Sequence, residues 1–481
     1  MKTSVLSEEQ IRKIHGASLR ILGETGVSIP HRDMLGRFAD SGAKVDFDAQ
    51  SVRIPADLLD RLLKQAGRRF TLYGRDMAMT ARFGQGCRNY NSTSGEALWL
   101  DAVGGERRYA SLGDVVTATR LADALDGITI AGAMSDPHEL AAAGRCVEVF
   151  ATMLHHTTKP VTFWYHNRAA ARFINEIMIA LRGDEQRAAE FPICYPFLAP
   201  ISPLRFPFNG IDLLYETARL NLPVPVGPMA QMGMSAPATL AATLAQENAE
   251  VLAGICVTQL VRPGMPVCYG GICHAFDMRT TQLVFAGPEQ AIFGVAMTQM
   301  GRHYGLPVYI NAGLTDSKCP DAQAGLECAA TLMLGAAAGA DVFGHMGICG
   351  VDQATSLDIL MLQHEVIRYV ESAMREIDFS EDAFGVDEIA DAGPGSQFID
   401  RDHTAAHFRK ELWMPRLLDR DYYENWRARG ATGMAERCRA GKEELLIAHR
   451  PQPIDPQLSR SILEIAAAAG RETGIDHPAN M

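Results

Sequence analysis

From about residue 112 the chain alternates short apolar runs with helical patterns, and that rhythm predicts an α/β fold. Its best closure is a TIM (β/α)8-type barrel with an N-terminal helical and β-hairpin extension and a helical C-terminal tail. Two further observations point the same way. Four helix-to-strand joints carry the same punctuation, TTKP, NLPVP, VRPGMP and YGLP, where Pro stops a helix and launches a strand. No G-x-G-x-x-G or Walker sequence opens any of the helices, which counts against an open nucleotide-binding sheet.

The predicted strands are 128–134, 161–165, 193–199, 224–229, 267–272, 307–310 and 341–345. Helical patterns fill the gaps at 140–154, 169–182, 210–220, 238–260, 289–303 and 321–337, so the strands are expected to run parallel. These are seven strands. The eighth is expected either near Ile389–Ile399 or from the β-rich pieces before residue 112.

Before the barrel, residues 7–24 read as an amphipathic helix, with Ser7 as N-cap, Gln10 completing a capping box, and Ile11, Ile14, Leu19 and Leu22 on one side. Helices are also expected at 31–41 and 52–67, the latter with Pro55 in its first turn. FTLYGRD, CRNYNSTSG and EALWLD, broken by Gly and Asn, read as hairpins. The tail from about 403 is helix-rich and ends in SRSILEIAAAAGRET. The expected organisation is therefore 1–111 extension, 112–400 barrel and 401–481 helical region packed on it.

The 481 residues are 47% apolar and 21% charged, enough to bury a large core. A net charge of −12 disfavours nucleic acid or an anionic membrane as the main partner. The first residues, MKTSVLSEEQIRKIHG, show no signal core, and no uncharged run reaches membrane-spanning length, so a cytoplasmic location is expected. Ten scattered cysteines without a C-x-x-C pair read as reduced thiols. Cys268, Cys273, His274 and His345 are the one set that tempts a metal reading, but their spacing supplies no ligand motif and no metal is expected.

In a barrel the chemistry lies at the carboxyl ends of the strands. The richest such turn is YINAGLTDSKCPDAQAGLE, residues 309–327, where a strand breaks at Asn311–Gly313 into a turn with Thr315, Asp316, Ser317, Lys318 and Cys319. Asp316 and Lys318 either serve a site or pair with each other and cap the next helix. Trp164, Tyr165, Gln231, Tyr269, His274 and His345 stand at other strand ends, His345 within the Gly-rich GHMGICG. A Lys at a barrel strand end also suits a Schiff-base lyase or aldolase, with Lys318 as nucleophile. A non-catalytic binding module is the third reading.

Several pieces together resemble the trimethylamine methyltransferase family of corrinoid-dependent amine methyltransferases. They are LSEEQIRKIHGASLRILGETGV, VRIPADLLDRLLKQAGRRFTLYGRD, SAPATLAATLAQENAEVLAGICVTQLVRPGMPVCYG, LTDSKCPDAQAGLE and GPGSQFIDRDHTAAHFRKELWMPRLLDRDYYENWRARG, colinear over nearly the whole chain. The resemblance implies a TIM barrel that moves a methyl group from an amine nitrogen to the cobalt of a corrinoid (cobalamin). That corrinoid is carried by a separate small protein, with no cofactor tightly bound by this chain. The family's trimethylamine enzymes carry pyrrolysine, whereas this sequence has ordinary residues throughout; the resemblance puts the corresponding position in this turn, near Gly313 or Leu314. Members without pyrrolysine resemble quaternary-amine demethylases, with glycine betaine the best-known substrate and proline betaine or carnitine as variants.

The chemistry agrees. A quaternary nitrogen leaves as a neutral tertiary amine, so cobalt(I) can take the methyl group without a proton donor, and the protein's task is positioning and electrostatics. No residue is assigned a covalent or acid/base role. Aromatic faces hold such a cation; Tyr90, Trp164, Tyr165 and Tyr269 are the candidates, with Met232 beside them. For a betaine carboxylate, His345 comes first, then His274 and Lys318, while Asp316 orients Lys318 or faces the cation. A homo-oligomer is expected.

Overall fold

The apolar runs form the centre of the molecule. A computed structural model describes residues 1–101 and 105–472. Five parallel strands lie in the order Val224–Val226, Val267–Gly271, Val308–Asn311, Val342–Met346 and Asn89–Ser92. Beyond Asn89–Ser92, Asn91 bridges Ile130, and Ala131–Gly132 pairs in parallel with Val161–Thr162. Val161 N–H donates to the Ile193 carbonyl (3.0 Å), and Leu198 bridges Val226. The result is a curled, parallel α/β sheet with helices outside it, as the alternation predicts.

The sheet corrects several expectations. Ile389–Ile399 contributes no strand; Val386–Ala392 is an exposed helix. The other expected source, the β-rich pieces before residue 112, does supply a parallel strand, Asn89–Ser92, which is fully buried yet polar. Asn89 Nδ2 donates to the carbonyls of Arg82 and Asp341, and Asn91 Nδ2 to Tyr309 Oη, so its side chains are satisfied without an apolar signal. Residues 51–53 form a strand against Val27–Ser28 and Lys44–Asp46, and the helix read from 52 starts only at Ala56, capped by Pro55. The 193–199 run pairs only at isolated points. The Ser7–Gln10 capping box forms as read.

The Phe70–Tyr73 and Thr80–Phe83 hairpin covers the amino-terminal edge of the sheet. Phe70, Leu72 and Phe83 pack with Tyr195, Ile130 and Tyr309 on its concave face. Gly84 N–H donates to Asp341 Oδ1, tying the hairpin to the strand start (2.9 Å). Outside, the Leu240–Val261 helix is buried on nearly every side, so it shows no amphipathic face. The Pro456–Glu472 helix lays Ile462, Ala466 and Ala469 onto the Arg145–His156 and Arg168–Arg182 helices. Thr473, the last residue of the expected tail helix, and the rest of 473–481 lie outside the described residues. Cysteines are free thiols, all buried but Cys87 and Cys319. Among the described residues no helix is long and apolar enough to cross a membrane.

Candidate active site at the carboxyl edge of the sheet

With the hairpin filling one edge, the carboxyl ends of the strands are left to enclose a cavity of about 310 Å³. Each wall residue sits at or just past a strand end. Glu96 follows Asn89–Ser92, Trp164 follows Val161–Thr162, Met229 follows Val224–Val226, and Ile272 follows Val267–Gly271. Asn311 ends its strand, His345 lies near the end of the next, and Phe197, Phe285, Ile348 and Asp352 complete the lining. A larger hollow of about 620 Å³ beside the Leu357–Ala373 helix is lined mainly by apolar side chains such as Leu362, Val366, Leu418 and Met434. Its polar lining is Asp321, Glu365 and Tyr369, and it lies away from the carboxyl ends of the strands.

Of the residues singled out in the sequence, Trp164 and His345 line the cavity. Trp164 Nε1 donates to the Gly95 carbonyl (2.8 Å), which fixes the indole, and its ring stands edge-on to Phe197 at 6.3 Å. His345 is buried beside Tyr309, ring centroids 5.6 Å apart, and burial lowers its pKa to about 4, so it is a neutral imidazole at pH 7. Gly344 is required beneath it: a Cβ there would lie 1.8 Å from Tyr309 Oη.

His274 lies behind the wall. It is fully buried, stacked on Phe285 (4.6 Å), and its Nε2 accepts a hydrogen bond from Asn311 Nδ2 (3.2 Å). Burial first, and the neighbouring His345 second, lower its pKa to about 3. Asp316 acts on the wall too. Its carboxylate accepts from Phe285 N–H (3.0 Å) and Ala286 N–H (3.4 Å), holding the segment that carries Phe285. Burial raises its pKa despite those bonds.

The other expectations are redirected. Tyr90 points away from the cavity, stacks on Phe343 and donates to Glu371 (2.5 Å). Tyr165 contacts Cys194 Sγ (3.2 Å) within the core beneath the outer helices. Tyr269 donates to Asn248 Oδ1 of the Leu240–Val261 helix (2.7 Å). All three are strand or strand-end aromatics whose rings took the outer face, so the structure does not bring them together. Gln231 starts a short strand against His274–Asp277, and neither it nor Met232 lines the cavity. Gly313 adopts φ +86° and is clamped by Thr331 Oγ1 on its N–H and Gln363 Nε2 on its carbonyl. Leu314 packs behind the wall with Phe285 and Ile348. Lys318 is exposed, and its Nζ donates to the carbonyl of Asp316, not to its carboxylate (2.8 Å). That is unlike the desolvated amine a Schiff-base enzyme needs.

Two carboxylates escaped sequence reasoning. Glu96 sits in EALWLD, read only as a hairpin piece, and Asp352 lies two residues past GHMGICG, read only through His345. They meet because Thr355 pairs with Trp99 in a sheet built from Ile348–Cys349, Ala354–Thr355, Leu98–Leu100 and Arg107–Tyr109. Burial, then the charges of Asp352 and Asp136, push Glu96 well above the usual carboxylate range; burial pushes Asp352 up to about 7. A third acid works from behind. Glu247 is fully buried and accepts from Ala230 N–H and Ile272 N–H, both at 3.0 Å, pinning two strand ends together. Among the described residues no group of three His, Cys, Asp or Glu side chains is placed to hold a metal.

A small, partly aromatic cavity at the carboxyl edge of a parallel α/β sheet is the place where enzymes of this architecture bind small molecules. The chain belongs to the trimethylamine methyltransferase family, whose model matches residues 1–474. It is therefore an amine methyltransferase by family. It is 29% identical to the glycine betaine methyltransferase of Desulfitobacterium hafniense strain Y51, over 98% of both chains. It is 28% identical to the trimethylamine methyltransferase of Methanosarcina thermophila, over 96% of both chains. The crystal structure of the Methanosarcina barkeri monomethylamine methyltransferase aligns with a TM-score of 0.46 at 10% identity, over 99% of this chain and 96% of that one.

Proposed function

We propose that this chain transfers a methyl group from a quaternary amine, glycine betaine or a related betaine, to the cobalt(I) of a corrinoid carried by a separate small protein, releasing a tertiary amine. The observation that carries the reading is the cavity itself: Trp164 and Phe197 offer aromatic faces, Glu96 and Asp352 offer carboxyl groups that a bound cation would hold ionised, and His345 is neutral. That set suits a quaternary cation. Its 310 Å³ holds a small amine and not a corrin macrocycle, which fits a cofactor presented from outside by its own protein.

The reduced cobalt, when presented, supplies the nucleophile. This chain's residues do the rest. The aromatic faces and carboxylates orient the ammonium with one methyl group toward the opening, and the apolar wall of Met229, Ile272, Phe285 and Ile348 excludes water. When the N–CH3 bond breaks, its electron pair stays on nitrogen, so no proton has to move and a neutral His345 is sufficient. For a betaine, His345 is the lining side chain suited to donate to the carboxylate.

The same proposal includes closure of the curled sheet into an eight-stranded barrel, supported by the chain of parallel contacts from Val342–Met346 through Asn91, Ile130, Val161, Ile193 and Leu198 back to Val226. The barrel then begins at Asn89, with residues before it as an extension and the helices after 401 packed outside. We place the protein in the cytoplasm as a homo-oligomer, a reading favoured by its free thiols and by exposed Ile377, Phe379, Ile399 and Tyr422.

The test is incubation of the purified chain with glycine betaine, proline betaine, carnitine, choline or trimethylamine and a cobalt(I) corrinoid, free or on its partner protein. Methylcobalt absorbance and a demethylated amine are expected from a quaternary amine. Transfer from trimethylamine alone, or from none of them, overturns the proposal.

A further inference from the structure

We propose that Glu96 and Asp352 together form the counter-charge that seats the quaternary nitrogen, so that the cavity selects its ligand by positive charge and not by shape alone. The inference rests on the quaternary-amine reading and assigns the part of the site that recognises the cation.

Four observations lead there. Glu96 and Asp352 reach the same cavity from loops 256 residues apart, and among the described residues no Lys or Arg lines it. Neither carboxylate has an ion-pair partner among the described residues. The nearby Asp136, by contrast, is paired with Arg145 (2.7 Å) and faces His166 (3.5 Å). Two negative groups in a confined, partly apolar space are unfavourable unless a cation joins them.

The second observation is Asn311, only 2% exposed, which lines the same cavity with its Oδ1 unpartnered. A quaternary ammonium has no N–H for that oxygen to accept, but the oxygen's partial negative charge adds to that of the two carboxyl groups in favouring a cation. The third is the aromatic pair Trp164 and Phe197, set edge-on to each other beside the carboxylates, a face on which methyl groups of an ammonium rest. The fourth is the turn that carries Asp352. Gly350, Val351 and Asp352 all have positive φ, at 63°, 63° and 60°. A β-branched Val in that region is strained, and such strain persists where the surroundings require the loop shape. Burial also holds both carboxyl groups above their ordinary range, as expected of charges that await a partner.

The test separates charge from shape. Choline and 3,3-dimethylbutan-1-ol differ at one atom, a charged nitrogen against a neutral carbon; glycine betaine and 3,3-dimethylbutanoate form a second such pair. Affinities are measured by calorimetry on the full chain and on Glu96→Gln, Asp352→Asn and the double variant. The wild type is expected to prefer each ammonium over its carbon analogue by about tenfold or more. Each single variant should lose about threefold or more of that preference, and the double variant most of it, what remains being the aromatic contribution, while the neutral 3,3-dimethylbutan-1-ol binds as before. Retained binding of that alcohol also reports a folded cavity. An undiminished preference in the double variant overturns the proposal, as does a wild-type ratio near one or no binding of either ammonium; the wild-type ratio decides should the variants not fold. Charge-selective binding without methyl transfer from any amine would leave the carboxylate pair standing and remove the methyltransfer reading. Methyl transfer at unchanged KM in the double variant would do the reverse.

Discussion

Asn311 Nδ2 donates to His274 Nε2 across 3.2 Å, and through this bond a histidine outside the cavity sets the orientation of a residue inside it. The direction follows from chemistry: an amide nitrogen only donates, so Nε2 accepts and the imidazole is neutral, in keeping with a pKa lowered to about 3. His274 acts on the cavity through Asn311 and does not itself reach the wall.

Asn311→Leu keeps the volume and leaves His274 Nε2 buried without a donor. The expected loss is about 1–3 kcal/mol of stability, read by urea unfolding, with amine binding weakened as well. Unchanged stability and affinity would show that the bond contributes neither.

Glu247→Ala strips the acceptor from two buried backbone N–H groups, those of Ala230 and Ile272. We expect a loss of about 2–4 kcal/mol, with KM rising more than kcat falls because Met229 and Ile272 shift in the wall. A drop in kcat at constant KM would argue for a direct role in the reaction.

Asp352 gives a pH dependence of known sign. Its folded-state pKa is raised from 3.8 to about 7 by burial, so the folded chain holds this proton more tightly than the unfolded chain. The contribution is fully present below pH 3.8, declines as pH rises and is gone above about 7. Glu96, also raised, acts in the same direction. Asp352→Asn should therefore raise the melting temperature at pH 8 by roughly 2 °C and change it little at pH 4. Equal effects at both pH values would count against the assignment.

Trp164→Leu removes the ring whose N–H is fixed on Gly95. Affinity for a quaternary amine should fall by about 1–2 kcal/mol, the scale of a desolvated cation–π contact, with Trp164→Phe recovering part of it. Calorimetry with the three proteins checks this, and equal affinities would exclude the indole from the cation site.

Lys318→Ala distinguishes methyl transfer from the Schiff-base alternative. Because Lys318 is exposed and donates to a backbone carbonyl, the variant should keep methyl transfer within about threefold of wild type, and borohydride should trap no substrate on the native chain. A trapped adduct would reverse the reading.

The α/β alternation, the Ser7–Gln10 cap, the Pro-punctuated joints and the family resemblance were all legible in the amino-acid order, because each is a local pattern. Asn89–Ser92 was not, since its buried amides are satisfied by Arg82, Asp341 and Tyr309 rather than by an apolar surround. Nor was the facing of Tyr90, Tyr165 and Tyr269. A strand covered on both sides carries apolar residues on each, so its sequence does not mark which ring turns inward. The sequence by itself therefore determined most of the elements, the family and two wall residues, Trp164 and His345. Only the tertiary structure decided that Glu96 and Asp352 share one cavity, because a single pairing between Thr355 and Trp99, residues far apart in the chain, brings their loops together.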